Sequence, residues 1–351
     1  MRILIAPLDW GLGHATRCIP IIKQLLSRGH QVYLASSGPA LRLLQLHFPQ
    51  LPFLSLPAYQ IRYPYQNAVL NFLQSQPNII AAIIKEHRLC KQFIKLHEIE
   101  FLISDNRFGC HVKHIPCIYI THQLRFHFRN PWLSKLAALA HFFWYRNFAE
   151  LWIPDTPPPG NLSGDLSLQL AGPPVRHIGI LSQLEKIKRP QRYEALFLLS
   201  GPEPQRTYLE QKIIVQVKQL KGRFLLVRGL PKAREHLSLP PNLKVFNFLG
   251  PERLAEEMAA AALIICRSGY SSIMDLKKTA RPAILIPTPG QPEQLYLADH
   301  LSTDPQFLVM KQDQLRLVAF FEKPPVDLSA LNLEDAPSED LLLEALEHWK
   351  L

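Results

Sequence analysis

RILIAPLDWGLGHATR, residues 2 to 17, joins a short apolar run to an amphipathic stretch through two glycines and a histidine. A buried strand followed at once by a helix is the repeating step of a parallel sheet, so this segment predicts the start of an α/β domain. Gly11 and Gly13 allow a tight turn after the strand. His14 falls at the helix start, where the helix dipole disfavours imidazolium and leaves a ring that can accept a proton.

The same alternation continues through the 351 residues. Strand-length apolar runs in the first half are RILIAP, HQVYLAS, EFLISD, CIYIT and ELWIP, and those in the second half are EALFLLSG, GRFLLVRG, NLKVFNFLG, ALIICRSG and RPAILIP. A segment rich in proline and glycine, residues 154–181, separates the two series. We therefore predict an α/β protein with two Rossmann-like, doubly wound domains facing across a cleft. The predicted parts are an N-terminal domain over 1–177, a linker over 178–192, a second domain over 193–340 and a C-terminal helix over 341–351.

Positive charge is concentrated in the first half of the chain. The formal net charge is +10, and residues 1–177 hold 17 basic against 8 acidic residues, whereas the remainder holds 22 against 21. The sequence shows no signal peptide and no uncharged apolar run of about 18 residues, so we expect a cytoplasmic protein. Its five cysteines lack metal-ligand spacing, which predicts reduced, mostly buried thiols and no metal site.

No acidic residue occurs between Asp105 and Glu150, and the densest mixture of basic and aromatic residues lies over 123–148, here called the basic aromatic stretch. The cations from Asp105 onward are Arg107, Lys113, Arg125, Arg129, Lys135 and Arg146, and the aromatic residues are Phe126, Phe128, Trp132, Phe142, Phe143, Trp144 and Tyr145. This composition suits an anionic membrane surface, but core packing beneath solvated cations is an open alternative. Because no nucleic-acid-binding fold is evident, we expect no nucleic-acid partner.

Asp105 ends the strand EFLISD. The carboxyl ends of parallel strands form the ligand crevice of such sheets, so Asp105 is expected within reach of a His14 ring nitrogen. A carboxylate there would orient the imidazole and stabilise its cation after proton uptake. The alternatives are a helix-capping histidine and a turn aspartate. Arg17 and Arg107 flank this pair and are interpreted either as ligands of an acceptor phosphate or as solvated surface.

CRSGYSSIMD, residues 266 to 275, follows the strand ALIIC. Backbone N–H groups at a helix start, the hydroxyls of Ser271 and Ser272 and the guanidinium of Arg267 would together bind a diphosphate. Asp275, further along the helix, would accept hydrogen bonds from ribose hydroxyls. A turn of glycine and serine after a strand is also common structural punctuation, which is the alternative reading.

The next strand end, LIPTPGQPEQLYLA, carries Glu293 and Gln294, which are suited to orienting sugar hydroxyls. Taken with residues 266–275, it resembles the nucleotide-sugar signature of GT-B glycosyltransferases, in particular the MurG-like and UDP-glucuronosyltransferase-like groups. LLSGPEPQRT, residues 198–207, looks like the first loop of their donor domain. The resemblance implies that the donor contacts Ser200, Gly201, Arg267, Ser268, Gly269, Ser271, Ser272, Asp275, Glu293 and Gln294.

GLGHATR is similar to the glycine–histidine loop of these enzymes, and LISD resembles the strand whose aspartate supports the histidine. The resemblance implies a metal-independent, inverting transfer from a UDP-linked hexose or N-acetylhexosamine to an acceptor hydroxyl, with His14 as the base and no cofactor. Gly11, Gly13, Arg17 and Arg107 would lie on the acceptor side. A lipid-linked acceptor at the inner face of a membrane fits the basic aromatic stretch. A sugar-nucleotide epimerase or hydrolase, and a non-catalytic sugar-nucleotide-binding subunit, remain alternatives.

Overall fold

The structure, a computed structural model, describes residues 1–59, 68–128, 130–169, 171–230, 239–323 and 340–351, with side chains of the helix that starts at Ala68 described from residue 78 onward. Arg129 of the basic aromatic stretch therefore lies outside the described residues. The chain divides into two compact units, which are Met1–Gln183 with Pro337–Leu351 (the first unit) and Leu184–Ala336 (the second unit). Within the described ranges, no helix combines the length and apolar character needed to cross a bilayer.

A seven-stranded parallel sheet forms the centre of the first unit. Its strands are β1 (Arg2–Pro7), β2 (Gln31–Ser36), β3 (Phe53–Ser55), β4 (Phe101–Asp105), β5 (Cys117–Ile120), β6 (Glu150–Ile153) and β7 (Val175–His177). Its helices are α1 (Gly13–Ser27), α2 (Gly38–His47), α3 (Ala68–Leu96) and α4 (Pro131–Tyr145). The spatial strand order is β3-β2-β1-β4-β5-β6-β7.

This strand order reverses direction between β1 and β4. The chain runs outward from β1 through β2 to β3 and then returns to β4 on the other side of β1. Pro7 pairs with Asp105 in the register of the two strands, and the Leu8 N–H donates to the Asp105 carbonyl at 2.9 Å. In open α/β sheets, ligands bind at such a reversal, outside the carboxyl ends of the strands.

The second unit contains a six-stranded parallel sheet of spatial order β10-β9-β8-β11-β12-β13. Its strands are β8 (Tyr193–Leu198), β9 (Phe224–Val227), β10 (Leu243–Phe246), β11 (Ala261–Cys266), β12 (Ala283–Leu285) and β13 (Phe307–Val309). Its helices are α5 (Gln205–Val217), α6 (Pro251–Ala259), α7 (Tyr270–Thr279), α8 (Pro292–His300) and α9 (Leu317–Glu322). Here the order reverses between β8 and β11, whose final residues Leu198 and Cys266 are paired.

The last helix, α10 (Asp340–His348), belongs to the first unit. Just beyond it, the Trp349 indole N–H donates to Glu150 Oε2 at 2.6 Å, and Arg28 Nη1 donates to the Leu351 carbonyl at 2.8 Å. The end of the chain is therefore anchored on β6 and on the end of α1.

The predicted α/β class with two doubly wound parallel sheets is confirmed, and each of the ten predicted strands is present. The strands that the sequence pattern missed are β3, β7 and β13. Each has three residues and lies at the edge of its sheet.

Candidate functional site

The structure brings His14 and Asp105 together at the strand reversal of the first unit. His14 Nδ1 lies 2.8 Å from Asp105 Oδ1, the carboxylate is fully buried, and the His14 side chain is 15% exposed. An ionised carboxylate only accepts hydrogen bonds, so Nδ1 carries the proton in this contact. Nε2 is then the nitrogen with a lone pair, and it is the atom at which this histidine can act as a base.

Gly11 lies in the turn between β1 and α1 that precedes His14. Its φ of +82° lies in the left-handed region that side chains with a Cβ rarely adopt. A Cβ built there would meet no heavy atom within 4 Å, so the need for glycine is conformational rather than steric. Gly13, by contrast, is the first residue of α1.

The structure buries Arg17, which agrees neither with a ligand of an acceptor phosphate nor with a solvated side chain. It is 2% exposed, its Nε donates to Asp105 Oδ2 at 2.5 Å, and its Nη2 also donates to Asp105 Oδ1. Nη2 lies 2.9 Å from His14 Nδ1, and Nη1 lies 3.3 Å from His122 Nδ1. Because the guanidinium is buried against Asp105, the prediction of an acceptor-phosphate ligand or a solvated side chain is wrong for Arg17.

The charges of this cluster follow from its burial. Burial lowers the pKa of His14 and Arg17 lowers it further, which outweighs the raising effect of the Asp105 carboxylate. Burial alone would raise the pKa of Asp105, but the Arg17 cation and His14 hold it well below its usual range. The resting state is therefore a neutral imidazole beside an ionised carboxylate, and burial is the main reason that the ring is neutral.

Arg107 is also buried rather than available to a ligand. Its Nη1 donates to Glu86 Oε2 at 2.6 Å, its Nη2 donates to Ser37 Oγ at 2.7 Å and to Asp9 Oδ1 at 3.4 Å, and its Nε donates to the Pro7 carbonyl at 2.9 Å. The predicted acceptor-phosphate or solvated role is wrong for this arginine too. Instead, Arg107 fixes the end of β1 and the start of the loop that carries Gly11.

Three residues of this cluster were missed from the sequence. His122 lies two residues after the end of β5, next to β4, so the rule about strand ends that selected Asp105 would also have selected it. Asp9 lies in the opening stretch but was not assigned a role. Glu86 lies inside the long helix α3, where no sequence pattern marks a buried carboxylate.

In the second unit, three neighbouring strand ends carry the predicted donor residues. Ser200 and Gly201 are exposed just after β8, and Gly201 has a φ of +98°. A Cβ on Gly201 would lie 3.6 Å from Thr288 Oγ1, which follows β12. That hydroxyl is buried and has no hydrogen-bond partner among the described residues. A buried hydroxyl in this state is costly, and a ligand at this edge would satisfy it.

The helix start after β11 has the form predicted for an anion site. Gly269 is the N-cap residue of α7 and supplies no side-chain cap, and Ser271 and Ser272 are half-buried in the first turn. The first N–H groups of a helix have no partner within the helix and carry its positive dipole end. Asp275 follows one turn later and is half-buried.

Ser268 and Gln294 join the loop after β11 to the loop after β12. Ser268 Oγ donates to the Gln294 carbonyl at 2.8 Å, and Gln294 Oε1 accepts the Thr288 N–H at 2.9 Å. Gln294 Nε2 lies 3.9 Å from the position of a Cβ on Gly269. The Gln294 amide is thus oriented by these contacts beside the start of α7. Glu293, its neighbour, is half-buried in the first turn of α8.

Arg267 is fully buried, and its Nε, like the Thr288 hydroxyl, has no hydrogen-bond partner among the described residues. Its Nη2 donates to the Gln205 carbonyl at 2.7 Å and to Gln312 Oε1 at 2.6 Å, and its Nη1 donates to the Ile286 carbonyl at 3.4 Å. Burial lowers the pKa of Arg267 to about 10, so the side chain stays cationic at neutral pH. Its Nη1 and Nη2 connect the start of α5 with the end of β12, and the predicted diphosphate contact stays a prediction for Nε alone.

The basic aromatic stretch divides between core and surface. Helix α4 exposes an apolar stripe at the spacing i, i+4, i+7, i+11, made of Trp132 (78% exposed), Leu136 (63%), Leu139 (53%) and Phe143 (49%). Lys135 Nζ lies 5.5 Å from the centre of the Trp132 ring, and the guanidinium carbon of Arg146 lies 4.7 Å from that of Phe143. Tyr145 is buried in the core, so core packing holds for part of the stretch only.

A comparison with known families matches the second unit. Residues 202–322 match the profile of the glycosyltransferase family 28 C-terminal domain. This segment starts just after β8 and ends at α9, so it contains the edge formed by the ends of β11 and β12. No protein among the curated sequences matched the chain.

Solved structures resemble the chain over its full length. A spinosyn rhamnosyltransferase, SpnG, complexed with thymidine diphosphate has a TM-score of 0.67 at 15% identity, covering 99% of this chain and 100% of that one. The glycotransferase of kitacinnamycin has a TM-score of 0.65 at 14% identity, and MurG of Acinetobacter baumannii one of 0.56 at 15% identity. Each of these two matches covers 99% of this chain and 94% of the other chain. The resemblance to GT-B glycosyltransferases is thereby confirmed for the fold.

Proposed function

We propose that the chain is an inverting glycosyltransferase in which the second unit binds a nucleoside diphosphate sugar and His14 of the first unit activates an acceptor hydroxyl. The observation that carries this proposal is the His14–Asp105 pair at the strand reversal of the first unit. A neutral imidazole fixed through Nδ1 by a buried carboxylate is the arrangement that general-base catalysis needs.

In the proposed step, the acceptor hydroxyl gives its proton to His14 Nε2 while its oxygen attacks the anomeric carbon of the donor. The bond between that carbon and the diphosphate oxygen breaks, and the departing diphosphate takes the electron pair. A single displacement from the opposite face inverts the anomeric configuration. The ionised Asp105 stabilises the imidazolium that forms, while Arg17 keeps Asp105 ionised before the proton arrives.

For the donor, we assign the diphosphate to the start of α7 with Gly269, Ser271 and Ser272, and to the loop of Ser200 and Gly201. The helix dipole and the backbone N–H groups would stabilise the departing charge without a metal ion. Arg267 stays a candidate for the diphosphate through Nε alone, which has no partner among the described residues, because its other two guanidinium nitrogens are bonded within the protein.

The remaining donor contacts concern the two sugars. Asp275 is assigned to the ribose hydroxyls, and Glu293 and Gln294 are assigned to the transferred sugar. The Thr288 hydroxyl, buried beside Gly201, is a further donor contact that we add from the structure. The SpnG structure holds thymidine diphosphate, so the test must include thymidine nucleotides beside the uridine nucleotides that the sequence suggested.

We further propose that the acceptor is lipid-linked and that the α4 stripe rests on an anionic membrane surface. Four apolar side chains on one helix face are exposed, and cations stack over the two aromatic rings among them. An exposed apolar helix face bordered by cations is the composition of interfacial helices. No acidic residue of the segment between Asp105 and Glu150 opposes this attraction.

The first experiment is a thermal-shift panel of UDP- and TDP-linked hexoses and N-acetylhexosamines, followed by an assay of nucleoside diphosphate release. A ligand at about 100 times its Kd stabilises the folded state by about 2.7 kcal/mol, which is readily measured. We expect release to require an acceptor, supplied first as a polar-lipid extract. Equal turnover with donor alone would identify a hydrolase, and stabilisation with no turnover would leave only a binding subunit.

A further inference from the structure

A cavity of about 590 Å³ opens in the first unit beside the amino ends of β5 and β6, the opposite end of the strands from His14 and Asp105. Helix α3 contributes His87 and Lys91 to its lining, and the segment before β5 contributes His111, Lys113 and His114. Five basic side chains therefore surround one cavity. None of the residues that line it is acidic.

The two inner histidines are fixed by the backbone behind them. His87 Nδ1 lies 3.1 Å from the Gly109 carbonyl, and His111 Nδ1 lies 2.9 Å from the Phe108 carbonyl. A carbonyl only accepts, so both rings carry a proton on Nδ1 and present Nε2 as the remaining polar atom. Their ring centres are 4.9 Å apart. Two half-buried imidazoles held this close are preorganised for a shared ligand.

The cations at the mouth of the cavity are not neutralised by the protein. Lys91 and Lys113 are exposed, and among the described residues no carboxylate pairs with either of them. Cations of one sign around a concave site raise the local concentration of anions there. A metal ion is the other ligand that histidines attract. However, no group of three or more histidine, cysteine or acidic side chains in the described ranges is arranged to hold one.

We propose that this cavity, here called the histidine–lysine cavity, binds the phosphate group of a second ligand, distinct from the donor and the acceptor of the transfer reaction. The lysines supply the charge, and each histidine Nε2 can accept a hydrogen bond from the hydroxyl of a monoprotonated phosphate or of the group that carries it. The volume leaves room for the group that carries the phosphate. This inference concerns the first unit alone and does not depend on the proposed transfer reaction.

The test compares two double variants that lose equal charge. Lys91→Ala with Lys113→Ala removes the cations of the cavity. Lys85→Ala with Lys95→Ala removes two exposed lysines of the same helix α3 that do not line it, and serves as the control. All four side chains are exposed, so both variants should fold, and circular dichroism checks this. Differences in phosphate binding between them report the cavity and not the net charge.

Inorganic phosphate is titrated into the full chain by calorimetry, with excess UDP present to occupy any diphosphate site of the second unit. We expect the Kd to rise at least about tenfold in the cavity variant and to stay within about twofold in the control. Equal weakening in both variants would overturn the proposal, because it would show only a net-charge effect. So would the absence of wild-type binding at about 10 mM phosphate.

A second measurement identifies the source of the phosphate. A chain carrying Trp132→Ser with Phe143→Ser, which removes the membrane contact proposed for α4, is sedimented with and without the cavity substitutions on phosphatidylcholine vesicles containing phosphatidic acid, whose headgroup is a phosphate monoester. It is then challenged with free phosphate or with sodium chloride at equal ionic strength. Release by phosphate alone, with no sedimentation of the cavity variant, assigns a lipid headgroup. Phosphate binding in solution without such sedimentation assigns a soluble ligand.

Discussion

Arg17 makes the His14–Asp105 pair into a three-residue charge cluster. Its guanidinium donates to both oxygens of Asp105 and lies 2.9 Å from His14 Nδ1. The cation therefore has two opposing effects, since it keeps Asp105 ionised but also disfavours imidazolium. Because the pKa of His14 is lowered, its ring is neutral at neutral pH and can accept a proton as a general base.

The pH profile follows from this arrangement. The pKa of His14 is lowered from its ordinary value, so wild-type kcat/KM should rise with pH along a limb centred below about 6.5 and be flat above it. In Arg17→Gln the lowering cation is gone, which should raise the pKa of His14 and move the limb to higher pH. A limb that stays in place in a folded Arg17→Gln variant would show that another group titrates.

Asp105 should also matter for stability. In Asp105→Asn the buried Arg17 loses its counter-charge, and breaking a buried pair costs about 3–5 kcal/mol of unfolding free energy. Because the pKa of Asp105 is lowered in the folded state, this difference from wild type should be complete above the unfolded pKa of about 3.9 and shrink as the pH falls further. Urea titrations at several pH values measure it. An equal difference at every pH would mean that the carboxylate charge is not its source.

At the scale of elements, helix α7 separates two donor contacts that can be tested independently. Its first turn is assigned to the diphosphate. Asp275, which lies one turn further along the helix, is assigned to the ribose. Asp275→Ala should therefore weaken UDP binding by about tenfold but leave pyrophosphate binding nearly unchanged. Calorimetry with both ligands provides the comparison. Equal weakening for the two would remove the ribose assignment.

Helix α4 carries the membrane proposal. Trp132→Ser with Phe143→Ser should abolish sedimentation with phosphatidylglycerol vesicles, whose headgroup is not a phosphate monoester, because burial of these exposed rings supplies much of the binding energy. The control is Leu46→Ser with Leu96→Ser, which removes two exposed apolar residues outside α4. Salt should release the wild type, since attraction between exposed charges fades beyond about 10 Å at 0.1 M. If both double variants sediment like wild type, α4 is not the membrane contact.

Across the whole molecule, sequence reasoning worked where the physical pattern is local. Buried central strands are recognisable as apolar runs in the sequence. Parallel strands end at the same edge of a sheet, and this rule correctly predicted that His14 lies beside Asp105. The edge strands β3, β7 and β13 were missed, since each has only three residues and none of them is buried throughout. Arg17 and Arg107 were misjudged, because their burial depends on partners that are distant in sequence, such as Asp105 for Arg17.

The family comparison and the fold support different parts of the account. The glycosyltransferase family 28 match covers the second unit, where donor binding is proposed. The proposed base lies in the first unit, outside the matched segment. A test of the whole account must therefore separate the chemical step from donor binding.

The kcat of His14→Ala is that measurement, made with the donor and acceptor that the panel identifies. We predict a fall in kcat of about 10²–10⁴-fold, the usual contribution of a positioned base, with the Kd for the donor within about twofold of wild type. His30→Ala, which alters a histidine at the other end of the sheet beside the amino terminus, is the matched control and should keep wild-type kcat. A folded His14→Ala enzyme with wild-type kcat would contradict the account.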